Sequence, residues 1–142
     1  MPRTWSFRIH AVLAVLLLSA CDNPVDPMTR VAGDYQATTY TATSGTTTLD
    51  ALAQGVTVQM TLHENGTTRG NVHIPAGLLG PGKPASDDSL VGTWTLRGDV
   101  VQFDHAGDTA IRDVRFLVRG NRLEGEETFG SGTKLRIVLE KR

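Results

Sequence analysis

Four short turn signals constrain this chain more than any other feature: Glu64-Asn65-Gly66, Gly98-Asp99, Gly120-Asn121 and Gly130-Ser131-Gly132. Each stands between runs that alternate apolar and polar residues with period two, the mark of half-buried strands. Glycine adopts a positive φ cheaply, so Gly-Asp and Gly-Asn suit two-residue hairpin turns, and the longer signals suit bulged three-residue loops. Residues opposite one another in an antiparallel pair share a face, which makes each turn a test of register. The Gly98-Asp99 turn predicts Leu96 opposite Val101 and Trp94 opposite Phe103. Gly120-Asn121 predicts Val118 opposite Leu123 and Phe116 opposite Gly125. The loop ending at Gly66 predicts Val58 opposite Val72 and Val56 opposite Ile74, and the last loop predicts Phe129 opposite Leu135. All four turns bring apolar faces together.

Extending the alternation gives eight strands, at residues 33–43, 56–63, 67–74, 91–97, 100–105, 112–119, 122–129 and 133–140. In the first, Tyr35, Ala37 and Thr39 are assigned inward. Hairpin-linked strands with one apolar face must hide that face, and an open meander would leave two bare edges. The expected fold is therefore all-β, an eight-stranded antiparallel up-and-down barrel, with a two-sheet sandwich as the alternative. A barrel of this size lies on the boundary between a filled interior and one with room for a small ligand. The side chains alone leave both open.

Chain direction puts the turns at 64–66, 98–99 and 120–121 at one end, and the remaining connections, two of them long, at the other. "SGTTTLDALAQG" (44–55) is expected to form a helical turn stopped by Gly55, and "PAGLLGPGKPASDDSL" (75–90) an irregular loop carrying Leu78 and Leu79. Long loops over a barrel mouth are usual sites of binding, so these leucines are candidates to cap the barrel, line its entrance or touch a partner. Parity also turns three ionisable residues inward near this end: His105, Arg112 and Glu127. Arg112 and Glu127 are expected as diagonal neighbours about 7 Å apart at Cβ, either a rim ion pair or a polar clamp on a ligand's carboxylate or hydroxyl. With Trp94 and Phe129 on the apolar wall, these make up the ligand-binding candidates.

The N-terminus adds an address. Arg3, Arg8 and His10 precede an apolar run from Ala11 to Leu18. That run is shorter than the ~20 residues a spanning helix requires, and it matches a secretory signal. Leu18-Ser19-Ala20-Cys21 resembles the bacterial lipobox. The resemblance implies removal of residues 1–20, diacylglycerol on Cys21, and a membrane-tethered protein of the cell envelope, on the inner or outer membrane or the cell surface. Residues 21–32, with two prolines, read as a flexible lipidated stalk, and residues 33–142 as the barrel domain. Gly33-Asp34-Tyr35 looks like the Gly-x-Trp opening of lipocalins, and "GTWTLRGDVVQF" (92–103) resembles a hairpin of small bacterial lipocalin-like lipoproteins. The likeness spans about residues 31 to 142, lacks the lipocalin C-terminal helix, and implies binding of a small apolar or amphipathic molecule.

Composition narrows the rest. The net charge of −1 argues against a nucleic-acid partner, and a lone cysteine allows no internal disulfide and no thiolate metal site. His63 and His73 are expected about 20 Å apart, so no shared metal is expected, and no cofactor. No nucleophile elbow, His-Glu-x-x-His or phosphate loop occurs, so an enzyme is not expected. The expectation is a monomeric binding module in the mouth of a barrel. The alternative is a solid barrel that uses its long loops on another envelope protein.

Overall fold

The computed structural model describes residues 25–105, 107 and 109–142. Ten strands form one antiparallel sheet: β1 (Gly33–Ser44), β2 (Thr47–Asp50), β3 (Thr57–Leu62), β4 (Thr67–Ile74), β5 (Ser86–Ser89), β6 (Gly92–Arg97), β7 (Val100–His105), β8 (Phe116–Arg119), β9 (Arg122–Thr128) and β10 (Lys134–Lys141). Two short helices, α1 (Pro27–Val31) and α2 (Thr109–Asp113), complete the described elements. The first and last long strands pair from Tyr35↔Lys141 to Thr43↔Lys134. That seam closes the sheet into an eight-stranded barrel, with β2 and β5 as additions, and excludes the sandwich.

The expected registers stand at three hairpins. Leu96 faces Val101 and Trp94 faces Phe103, Val118 faces Leu123 and Phe116 faces Gly125, and Val58 faces Val72. Gly98 and Gly120 have φ of 60° and 61°, and among the described residues only glycines have a positive φ, so both turns place glycine first, as in type II′ turns. The fourth hairpin is shifted by two places. The Phe129 N–H donates to the Thr133 carbonyl at 2.9 Å, and Glu127, not Phe129, lies opposite Leu135. A two-place shift preserves the face, so the inner wall keeps its identity.

Four further expectations are corrected. First, β1 carries a bulge at Thr38, where its register against β10 shifts. The extra residue reverses the alternation, so Tyr40 and Ala42 join the core and Thr39 opposes the outward Val138. Second, the segment before β6 is strand, not loop. β5 continues the register of β6 along β4, and the Leu90 N–H bonds the Gly70 carbonyl between them. Third, the segment holding Arg112 is helical. Ala110 and Ile111 stand four and three places before Val114, the spacing of a helical face, and Ile111 and Val114 are fully buried. α2 fills the gap that opens because β7 and β8 pair only at Val100↔Leu117 and Val101↔Phe116. Fourth, residues 27–31 belong to the folded domain, not to a flexible stalk. Asp26 caps the Met28 N–H at 2.8 Å, Pro27 opens the helix, and Val31 is buried.

The core explains the barrel's solidity. Among the described residues, the buried apolar cluster runs from Val31 to Leu139. At its centre the Phe103 and Phe116 rings meet edge to face, 5.4 Å apart. At the tight-turn end α1 serves as a plug. The Tyr35 hydroxyl donates to the Val31 carbonyl at 2.6 Å, and Lys141 Nζ donates to the Arg30 carbonyl at 3.2 Å. Burial raises the Tyr35 pKa to about 12.

Candidate functional site

The inner wall changes character along the barrel axis. Toward the tight-turn end and through the middle it is filled. Trp94, Val101, Phe103, Phe116, Leu123 and Ile137 are each at most 2% exposed. The Trp94 indole N–H donates to the His63 carbonyl at 2.8 Å, anchoring the ring toward the closed end. Trp94 is therefore a core residue rather than part of a mouth. Phe116 and Val114 occupy the space over Gly125, so that glycine serves packing.

At the long-loop end the filling stops. A cavity of about 210 Å³ is lined by Tyr40, Ala42, Leu49, Ala51, Val56, Val72, Ile74, Leu78, Leu79 and Leu135. For scale, a dry apolar cavity of about 150 Å³ holds benzene. Each wall has a separate origin in the sequence. The Thr38 bulge turns Tyr40 and Ala42 inward. Leu49 reaches the same face because β2 pairs with β1 at Ala42↔Leu49. The helical turn after β2 forms as expected. The Asp50 side chain accepts from the Ala53 N–H at 3.1 Å, Gly55 takes a φ of 92°, and Ala51 and Val56 are placed in the wall. The loop after β4 brings Leu78 and Leu79 over the opening. Leu79 is 64% exposed and Leu49 43%, so two apolar side chains stand at the rim in water.

Of the sequence candidates, the structure brings Leu78 and Leu79 to this cavity. It places the others elsewhere. His105 is buried deeper in the wall beside Phe103, with ring centroids 6.3 Å apart. Arg112 sits on α2, its Nε 3.0 Å from the Asp113 carboxylate, bordering an outer groove with Thr93, Thr95 and Gln102. The diagonal Arg112–Glu127 clamp is therefore not formed. Glu127 is half-buried on the inner face, directly opposite the cavity-lining Leu135. Phe129 packs against the core. Cys21 lies outside the described residues.

Sequence reasoning missed Tyr40, Ala42, the β2 contribution and Asp88. Asp88 lies opposite Val72 in β5, on the inner face of the wall. Its signal was present in the sequence. Ser86, Asp88, Leu90, Gly92 and Trp94 continue one alternation back into the segment read as loop. The two histidines lie at opposite ends of the β3–β4 hairpin, as expected, since His73 of β4 faces Thr57 of β3 while the His63 N–H closes the turn on Thr67. His73 Nδ1 lies 2.8 Å from Asp87. Among the described residues no helix is long and apolar enough to cross a membrane. No family model matches the chain, and neither does any curated protein or solved structure.

Proposed function

We propose that this protein is a membrane-tethered lipoprotein of the bacterial envelope that binds a small apolar or amphipathic molecule at the mouth of its barrel, without catalysis. The observation that carries the binding half is the cavity between β2, the following turn and the Leu78-Leu79 loop. Its wall is aliphatic apart from Tyr40, and it is rimmed by two leucines exposed to water, an arrangement that costs solubility unless something covers it. The tether rests on the lipobox resemblance at Cys21. It is supported by the position of α1, through which the chain enters at the closed end and leaves the mouth at the far end. Residues 25–142 isolated from the host and weighed by native mass spectrometry should carry a retained small molecule, and an Ala42→Trp variant should lose it. A clean apo mass for both would refute the binding reading. Loss of envelope association in a Cys21→Ala variant tests the tether, and persistent association would contradict it.

The exposed rim supports a second reading, in which Leu49 and Leu79 contact another envelope protein. In that case Leu79→Ser would abolish the protein contact, while Ala42→Trp, inside the cavity, would leave it unchanged.

A further inference from the structure

Taking the mouth cavity as the binding site, we infer that its ligand is a cationic amphiphile, with an alkyl part in the cavity and an ammonium or amine group at the inner-face carboxylates beside it. The registers place those carboxylates. Leu49, Ala42, Leu135 and Glu127 form one rung of the inner wall, each opposite the next across β2, β1, β10 and β9. Glu127 thus stands about 5 Å at Cβ from the cavity-lining Leu135. On the other flank Asp88 stands opposite the cavity-lining Val72, and Ser86 stands opposite Ile74. Both acids are half-buried. A third carboxylate, Asp50, caps the turn between the cavity residues Leu49 and Ala51.

Among the described strand residues, Lys141 is the one lysine or arginine on this face, and it lies opposite Tyr35 at the closed end, where its Nζ donates to the Arg30 carbonyl. Arg112 and Lys134 pair with Asp113 and Glu126, and Lys83 is exposed on its loop. His105 lies on the same inner face, lower down, opposite Gly92. An amphiphile seated with its chain among Val56, Ile74 and Leu135 therefore carries its head into a field set by carboxylates. Partial burial weakens water screening, so like charge is disfavoured and opposite charge favoured. A carboxylate ligand would meet repulsion where an Arg112 clamp was expected to attract it.

The test uses residues 22–142, which contain the whole described core. A neutral fluorescent probe, N-phenyl-1-naphthylamine, is displaced by ten-carbon amphiphiles of matched chain: decyltrimethylammonium, decyl maltoside and decanoate. The ammonium compound is expected to bind about tenfold more tightly than decanoate, with the maltoside between them and the preference shrinking as salt is added. A double variant, Asp88→Asn with Glu127→Gln, should lose most of the preference and keep maltoside binding. Equal affinities, a preference for decanoate, or a preference unchanged by salt and by the double variant would overturn the cationic assignment and leave the apolar site standing. Failure of the probe and of all three amphiphiles to bind would overturn both.

Discussion

Phe116 lies directly across β8 and β9 from Gly125, and a side chain at Gly125 would collide with the Phe116 ring and with Val114 Cγ1. A missing side chain in one strand is thus matched by a large one in its neighbour, and the barrel is solid at that level. Gly125→Ala should destabilise the domain by about 2 kcal/mol through overpacking, measured by urea unfolding. A neutral result would mean that the wall relaxes without cost.

The α1 plug gives a second expectation. Val31→Ala removes buried methyl groups from α1, and should cost about 1–2 kcal/mol. Thermal denaturation decides it, because the same change in an unattached stalk would leave the midpoint where it was.

Tyr35 sets a pH dependence. Its folded-state pKa is raised to about 12 by burial, above the ordinary value near 10. Its contribution is therefore fully present below about pH 10 and lost as pH rises toward 12, because the unfolded chain releases the phenol proton first. Over that window stability should fall by about 2 kcal/mol from this group. In Tyr35→Phe that part of the slope disappears, and the lost hydrogen bond to the Val31 carbonyl lowers stability at neutral pH by about 1 kcal/mol. An identical alkaline slope in both proteins would contradict the assignment.

Leu79 separates surface from stability. At 64% exposure, Leu79→Ser should change the unfolding free energy by less than about 0.5 kcal/mol. It should nevertheless weaken N-phenyl-1-naphthylamine binding severalfold. Unchanged probe affinity would remove Leu79 from the site.

The sequence was most legible where a short turn fixed two strands at once. Gly98, Gly120 and Gly66 set registers that need no long-range information, so Trp94, Phe103, Val58 and Val72 could be placed on a face by counting. It was least legible at the mouth, where geometry depends on insertions between distant strands. The Thr38 bulge leaves no local mark, since Thr and Tyr suit either face of a strand, and it alone decides that Tyr40 and Ala42 look inward. Arg112 misled because a five-residue helix is too short to announce itself by periodicity, although Ile111 and Val114 carried the helical spacing. Once that segment became helix, the clamp disappeared, and Glu127 kept its face opposite Leu135.

The proposed function requires that the apolar mouth, rather than any other surface, receive a small molecule. Methyl NMR of residues 22–142 titrated with N-phenyl-1-naphthylamine tests it most directly. Shifts are expected on the methyls of Leu49, Ala51, Val56, Ile74, Leu78, Leu79 and Leu135, with Leu123 and Val101 in the solid centre unmoved. Shifts confined to other faces of the barrel, or none at saturating probe, would contradict it.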